Sequence, residues 1–218
     1  MRMIKHGHAC LELVDGDERL IIDPGFYTEA MDGKSNVKAI VITHKHDDHC
    51  YEEQVERIIA LNPGVPIYAP TDVCDRLAAA PHPERFNAIP VFHGDLHLVG
   101  GFQLEFFGAM HAEIHRSIPL IQNTGVMVND TLYYPGDSFT RPDRAVAVLA
   151  CPSSAPWLKI SDVMDFVDDV RPALCFATHN IHLSPQGHEL NNGRIQAVTE
   201  QHGGQFRFLH IGDVLDFE

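Results

Sequence analysis

The chain has 218 residues, enough for one well-packed domain, and no linker-like segment divides it. Its formal net charge is −14 and no run of Lys or Arg forms a basic patch. Because phosphate binding needs clustered cations, this composition argues against a nucleic-acid partner. We therefore expect a single domain over residues 1–218 that acts on a small molecule.

No apolar stretch approaches the length of a membrane span, and the first residues lack the apolar core of a secretory signal. The five cysteines show no C-x-x-C spacing, which is typical of reduced thiols. We expect a soluble cytoplasmic protein without a membrane partner. The sequence leaves open whether copies of the chain associate into a homo-oligomer.

Along the chain, strands come first and helices follow, and this order occurs twice. Residues 3–14 read as one strand, along which His6 and His8 alternate, and we interpret both as structural. An Asp-Gly turn leads into a second strand at residues 19–23. Further strands are predicted at residues 38–42, 67–69, 89–92, 96–99, 102–107, 124–128, 131–134, 145–151, 173–178 and 206–211. Helices are predicted at residues 51–62, 73–80, 161–170 and 187–201.

A dense group of potential metal ligands follows the buried run at residues 38–42 directly. Residues 43–49 read T-H-K-H-D-D-H. In an extended chain, side chains two residues apart point the same way, so His44 and His46 can share one ion. If the chain then turns, Asp48 and His49 can face a second position. Imidazole together with carboxylate suits zinc, with iron and manganese as second choices.

This segment resembles the metal-binding motif of the metallo-β-lactamase superfamily, H-x-H-x-D-H, and matches every defining position. The resemblance implies an α/β fold, the four-layer αββα sandwich of that superfamily. Its oxygen-reducing diiron members carry Glu at the place of the second histidine, which is His46 here, so the hydrolase branch is favoured. Residues 7–10, 22–25, 111–115 and 135–138 are similar to a small stand-alone subgroup of metal-dependent hydrolases. In outline that subgroup resembles the ascorbate-phosphate lactonase type.

The resemblance also indicates the remaining ligands, each of which follows a later strand. His111 takes the place of the third ligand of the first ion, with His115 as its rival. Asp137, in a Gly-Asp segment, takes the place of the carboxylate that bridges both ions, the alternative being a turn aspartate. His179 takes the place of the last ligand. His182 and His188 follow it closely and are the alternatives.

The implied centre therefore holds two ions. One ion is assigned to His44, His46 and His111, the other to Asp48, His49 and His179, with Asp137 between them. Asp23 is expected to orient a ligand histidine from behind. Asp48 is also a candidate proton acceptor, and His115 is a candidate acid near the leaving group, although a solvated loop histidine is the alternative.

Two divalent ions about 4 Å apart can lower the pKa of a water toward roughly 7 and so supply a nucleophile. No G-x-S-x-G segment offers a serine in its place. The leading hypothesis is a dinuclear zinc hydrolase acting on a small ester, lactone or phosphodiester. The alternatives are a mononuclear iron sulfur-oxygenase of the same superfamily and a non-catalytic metal-binding module. The identity of the substrate, and whether one or two ions are bound, stay open.

Overall fold

Two mixed sheets of seven strands each are formed within residues 1–217, the part of the chain that the computed structural model describes. The first sheet contains, in spatial order, β14 (Val214–Asp216), β1 (Arg2–Lys5), β2 (Leu11–Asp15), β3 (Glu18–Ile22), β4 (Val37–Val41), β5 (Pro66–Ala69) and β6 (Asn87–Pro90). The second contains β13 (Gln205–Arg207), β12 (Leu174–Thr178), β11 (Val148–Pro152), β10 (Leu132–Tyr134), β9 (Gly125–Val128), β8 (Phe102–Phe107) and β7 (Leu96–Val99).

The helices cover the outer faces of these sheets. Their bounds are α1 (Glu52–Leu61), α2 (Thr71–Ala78), α3 (Ile160–Val170) and α4 (Pro185–Gln201), with a short 3-10 helix at Pro83–Arg85. Apolar side chains of α1 and α2 pack with Ile40 and Ile67 of the first sheet. Those of α3 and α4 pack with Leu149 and Cys175 of the second. A third apolar cluster joins residues of both sheets between the layers, so the predicted αββα sandwich is confirmed.

Three predicted elements differ from those observed. Residues 3–14 form two antiparallel strands, β1 and β2, separated by a loop at residues 6–10, rather than one strand. The last predicted strand, residues 206–211, is limited to β13, and the sequence analysis missed β14, which pairs with β1 at the sheet edge. Helix α3 begins at Ile160, one residue before its predicted start, and Lys159 at the N-cap position makes no side-chain cap bond.

The parallel strands bring distant parts of the chain to one edge of the molecule. β3, β4 and β5 run parallel in the first sheet, and β10, β11 and β12 run parallel in the second. The carboxyl ends of the two sets are joined by backbone hydrogen bonds, including one from Thr124 N to Thr43 O at 2.9 Å. Residues that follow β3, β4, β10 and β12 therefore lie close together. Among the described residues, no helix combines the length and apolar character needed to cross a membrane.

Behind this edge, a buried acid fixes the loop that separates β3 and β4. Glu12 on β2 is fully buried, and its carboxylate accepts bonds from Arg19 at 2.5 Å and from Lys34 at 2.7 Å. His6 Nε2 lies 2.5 Å from the same carboxylate. Burial alone raises the pKa of Glu12, but the bonds from His6, Lys34 and Arg19 outweigh it and lower the pKa to about 2.

Replacing Glu12→Gln is expected to destabilise the fold by about 2 kcal/mol at neutral pH. The folded-state pKa of Glu12 lies below its unfolded value, so its stabilising effect is present above pH 4.5 and is lost as the pH falls toward 2. The difference between wild type and variant in urea unfolding should therefore shrink between pH 5 and pH 3. Asp216→Asn removes a carboxylate that is 71% exposed and serves as the control, with little expected effect at either pH. A Glu12→Gln effect independent of pH would contradict this account.

Candidate metal centre

The turn that follows β4 is held from behind by Asp23. Its carboxylate is fully buried and accepts bonds from Thr43 N and Thr43 Oγ1, each at 2.7 Å. His49 Nδ1 donates to the same carboxylate at 2.7 Å. Gly25 passes so close to the turn that a Cβ atom there would lie 1.8 Å from Asp48 O. The turn is therefore set by contacts with the end of β3, and Asp23 occupies the orienting position that the sequence analysis assigned to it.

The first group of candidate ligands contains His44, His46 and His111. Their ligand atoms all lie within 4.8 Å of one another. His44 Nε2 and His46 Nδ1, both in the turn that follows β4, are 3.1 Å apart. His111 enters from the loop after β8. The structure thus brings together the three residues that the sequence analysis assigned to the first ion.

The second group contains Asp48, His49 and His179, with Asp137 beside them. His179 Nε2 lies 3.3 Å from Asp48 Oδ2 and 3.1 Å from Asp137 Oδ2. His49 Nε2 lies 3.9 Å from Asp48 Oδ2 and 3.3 Å from Asp137 Oδ1. Asp137 Oδ2 is also 3.3 Å from His111 Nε2. One carboxylate therefore contacts both groups, as expected of a bridging ligand.

The hydrogen bonds of four histidines determine which nitrogen is free. His44 Nδ1 lies 3.1 Å from Thr43 Oγ1, and His49 Nδ1 lies 2.7 Å from Asp23 Oδ2. His111 Nδ1 lies 2.5 Å from Ala112 O, and His179 Nδ1 lies 2.6 Å from Ser154 O. The hydroxyl of Thr43 donates to Asp23, so its oxygen accepts from His44. Because Nδ1 of each ring carries a proton that is held by these bonds, Nε2 is the nitrogen left to bind a metal ion. All four Nε2 atoms point into the centre.

These atoms fit bound divalent metal ions. Nε2 of His49, His111 and His179 and Oδ1 of Asp137 are buried without a hydrogen-bond partner. A buried polar group without a partner costs about 1–3 kcal/mol, so such a concentration indicates a ligand. Metal bonds of about 2.0–2.1 Å in a tetrahedral site place neighbouring donor atoms about 3.3 Å apart. Five pairs of donor atoms lie 3.1 to 3.3 Å apart, which matches that spacing.

The buried carboxylates of the centre also favour the binding of cations. Burial raises the pKa of Asp137 and Asp48, but the surrounding histidines outweigh it and hold both pKa values well below the usual range. Burial lowers the pKa of His179, but the two carboxylates raise it to about 9. Burial also lowers the pKa of His49, but Asp137 and Asp23 outweigh it and raise that pKa well above its usual value. Protons on these rings balance the carboxylates in the absence of metal, and bound cations would displace them.

His115 does not belong to either group. Its side chain is exposed, and its Nδ1 lies 2.7 Å from Ser117 Oγ within the same loop. The loop turns back at residues 110 and 122, which form an isolated β-bridge, so His111 lies inside and His115 outside. The geometry therefore gives no support to the prediction that His115 acts as an acid.

Two further residues contact the centre and were not assigned to it from the sequence. Trp157 Nε1 donates to Asp137 Oδ2 at 2.8 Å, so the indole holds the carboxylate that joins the two groups. His8 lies in the loop between β1 and β2, with its Nε2 3.4 Å from Asp48 Oδ2 and its ring 3.9 Å from that of His179. His8, interpreted from the sequence as structural, thus lies beside the candidate ligands, whereas His6 contacts the Glu12 carboxylate.

Geometry alone would allow His8 to join Asp48 and His179 as a ligand, but its hydrogen bond argues otherwise. His8 Nδ1 accepts a bond from Ile181 N at 3.1 Å. Burial lowers the pKa of His8 to about 4, so the ring is neutral and its one proton must be on Nε2. A protonated nitrogen cannot bind a cation. His8 is therefore a positioning residue that directs an N–H toward Asp48.

This assignment predicts that His8→Gln will retain both ions, since the amide of Gln can supply the N–H, whereas His8→Leu will bind the second ion about tenfold more weakly. Metal titration of the chelator-treated protein by calorimetry measures both affinities. His82→Leu, a change at an exposed histidine, is the control. If His8→Gln loses an ion as completely as His179→Ala does, His8 is a ligand and the assignment is wrong.

An αββα sandwich that gathers histidines and aspartates at the carboxyl ends of its strands defines the metallo-β-lactamase class of folds. Residues 2–179 match the family described as beta-lactamase superfamily domain, and the chain belongs to that family. The predicted superfamily is confirmed.

Relatives support the same conclusion. Protein Rv0786c of Mycobacterium tuberculosis is 33% identical over 91% of this chain and 93% of its own. The UPF0173 metal-dependent hydrolase SSO0099 of Saccharolobus solfataricus is 30% identical over 61% of this chain and 59% of its own. Among solved structures, the metallo-beta-lactamase fold protein YhfI of Bacillus subtilis has a TM-score of 0.75 with 14% identity, covering 98% of each chain. The name metal-dependent hydrolase agrees with the predicted class of enzyme.

Proposed function

We propose that this chain is a hydrolase that binds two divalent ions, zinc in the first instance, and activates water against a small ester, lactone or phosphodiester. The observation that carries the proposal is the position of the Asp137 carboxylate between the two groups of histidines. This carboxylate reaches His111 of one group and His49 and His179 of the other at 3.1 to 3.3 Å. A carboxylate in contact with two groups of nitrogen donors is the arrangement that two adjacent cations need.

The donor set favours zinc over harder cations. Five imidazoles and two carboxylates contribute to the two groups, and imidazole suits zinc better than it suits magnesium or calcium. The buried Cys50 follows the motif directly, but it belongs to none of the groups of candidate ligands, and burial raises its pKa to about 12. Iron and manganese remain the second choices for the same donors.

Bound divalent cations would lower the pKa of a water and polarise an oxygen of the substrate. The surrounding residues enclose this centre but leave one side of it exposed to solvent. Asp48 is 24% exposed, whereas Asp137 is 4% exposed and Asp23 is fully buried. His46 is also partly exposed. The substrate therefore approaches from the side of His46 and Asp48, and Asp48 is the carboxylate placed to take up a proton there.

The residues behind the ligands set their orientation. Asp23 fixes the ring of His49, Thr43 fixes that of His44, and Trp157 fixes the carboxylate of Asp137. Such partners hold the donors in place before the ions bind. The side chains of Phe26 and Tyr27, which are exposed beside this edge, provide an apolar surface for a small organic substrate.

The test combines metal analysis with a screen of substrates. Freshly purified protein should contain close to two equivalents of zinc and should hydrolyse at least one of p-nitrophenyl esters, lactones or bis-p-nitrophenyl phosphate. Asp48→Ala should abolish that turnover and leave the circular dichroism spectrum unchanged, whereas His82→Ala, at an exposed site, should leave the turnover intact.

Three outcomes would contradict the proposal. Metal far below one equivalent would remove its basis. Iron near one equivalent, together with thiol-dependent oxygen uptake, would favour the sulfur-oxygenase. Two bound ions without turnover of any of the three substrate types would favour a metal-binding module.

A further inference from the structure

A cavity of ≈ 1060 Å³ lies beside the metal centre, between α4, the end of β1 and residues 206–211. His8 borders both places, since it lines the cavity and directs its Nε2 toward Asp48. The remaining cavity residues belong to neither group of candidate ligands. The volume is that of a site for a small organic molecule. The cavity therefore adjoins the centre to which the hydrolase was assigned and overlaps it only at His8.

Two residues that line this cavity carry buried polar atoms without partners. Asn192 of α4 is 7% exposed, and neither its Oδ1 nor its Nδ2 has a hydrogen-bond partner. Nδ1 of His188, one turn earlier on the same helix, is also buried without a partner. An amide that folding leaves unsatisfied on both atoms destabilises the protein unless something else bonds to it. The cavity that Asn192 lines is where such a group would bind.

A buried positive charge belongs to the lining. Lys5 is 2% exposed and its Nζ donates to Ala177 O, Asn180 Oδ1 and Leu209 O, at 3.0, 3.2 and 3.3 Å. All three acceptors are uncharged. Burial lowers the pKa of Lys5, and Asp213 partly opposes this, so that the pKa is about 8 and the amine is mostly charged at neutral pH. A buried ammonium without a carboxylate among its hydrogen-bond partners attracts an anion.

The rest of the lining is largely apolar. Phe206, Phe208, Leu209 and Ile211 line one side, and Phe208 and Ile211 are 45% and 47% exposed. His210 adds a further basic group, and Glu189, on the exposed side of α4, is the acid of the lining. The cavity thus offers an apolar surface that leads to an amide and a fixed positive charge.

We propose that this cavity binds an organic monocarboxylate. The amide of Asn192 donates to the carboxylate, the charge of Lys5 stabilises it, and the apolar body of the ligand packs against Phe208, Leu209 and Ile211. The assignment does not depend on which reaction the metal centre performs. It adds a second ligand site that shares one residue, His8, with the first.

Naphthoate tests the proposal, with naphthylmethanol as the uncharged match. In titrations of the metal-loaded protein monitored by calorimetry, naphthoate should saturate one site and bind at least about tenfold more tightly than the alcohol. Asn192→Leu should weaken naphthoate by a similar factor without lowering the melting temperature, because the amide it removes has no partner. Gln186→Leu, at an exposed position of the same helix outside the cavity, is the matched control.

A second variant blocks the cavity without touching a polar group. A Cβ atom at Gly193, which lines the cavity, would meet no other atom within 4 Å, so Gly193→Leu should fold and occlude the site. His46→Ala, a change at the metal centre, should leave naphthoate binding intact.

The proposal is overturned if naphthoate does not saturate, or if the alcohol binds equally well. It is also overturned if Asn192→Leu and Gly193→Leu bind naphthoate as the wild type does. Loss of binding in His46→Ala would instead show that the carboxylate binds a metal ion, and the cavity would then not be its site. None of these outcomes bears on whether the enzyme hydrolyses its own substrate.

Discussion

Asp137→Asn is expected to reduce turnover by at least about a thousandfold and the bound metal from about two equivalents to one or fewer. Asn has nearly the same shape as Asp, so the substitution removes charge and one ligand atom while conserving volume. The carboxylate lies 3.1 to 3.3 Å from His49, His111 and His179. A bridging ligand stabilises two cations at once, and a loss of about 4 kcal/mol in the transition state corresponds to about a thousandfold in rate.

The measurement is metal content by elemental analysis, together with turnover of whichever substrate the screen identifies. Asp143→Asn, at a side chain that is 84% exposed, controls for the change of one unit of charge. Because the oxygen of Asn can still accept the bond from Trp157, the fold should persist and near-ultraviolet circular dichroism should be retained. Two tightly bound ions in Asp137→Asn would show that this carboxylate does not join them.

Sequence patterns predicted the part of the site that is continuous in the chain. His44, His46, Asp48 and His49 lie within one turn at the end of a buried strand, so their proximity follows from local geometry. His111, Asp137 and His179 approach through sheet pairings between distant segments, which no local pattern encodes. Only the resemblance to the superfamily indicated them. His111 was favoured over His115 because it lies nearer the end of its strand, and the fold of the loop supports that choice.

His8 shows why periodicity failed at the N-terminus. Residues 3–14 alternate well enough to predict one strand, but the strand is broken at residues 6–10. The break depends on Gly7, where a Cβ atom would lie 2.5 Å from Tyr27 O, and Tyr27 comes from another segment. An isolated glycine inside a strand pattern is the one signal that could have indicated the break, since it often marks close approach of another backbone.

Trp157 and the cavity beside α4 had no sequence signal at all. The bond from Trp157 to Asp137 joins residues 20 positions apart, across the loop that precedes α3. Asn192 lies in an ordinary polar stretch of a helix, and its unsatisfied amide is recognisable only once the neighbouring atoms are placed. In contrast, the role of Asp23 was predicted, because an aspartate that ends a strand next to the metal motif can reach a histidine of that motif.

Asp23→Asn is expected to weaken binding of the second ion by about 10- to 100-fold. The carboxylate of Asp23 accepts three bonds, from Thr43 N, Thr43 Oγ1 and His49 Nδ1. The side chain of Asn has only one oxygen, so its NH₂ group would face one of the groups that now donate to the carboxylate of Asp23. His49 can avoid this conflict by moving its proton to Nε2, but that nitrogen then loses the lone pair directed at Asp48 and Asp137. The substitution thus acts through the tautomer of a ligand that it leaves in place.

Backbone strain does not account for this expected loss. Asp23 has a φ of 48°, a left-handed conformation that Asn adopts as readily as Asp, so the variant should fold. The buried mismatch should lower its free energy of unfolding by about 1–3 kcal/mol. Calorimetric titration with zinc should show one site unchanged and one weakened, while Asp17→Asn, at an exposed turn, should match the wild type at both. Equal weakening at both sites would mean that Asp23 supports the whole turn rather than the ring of His49.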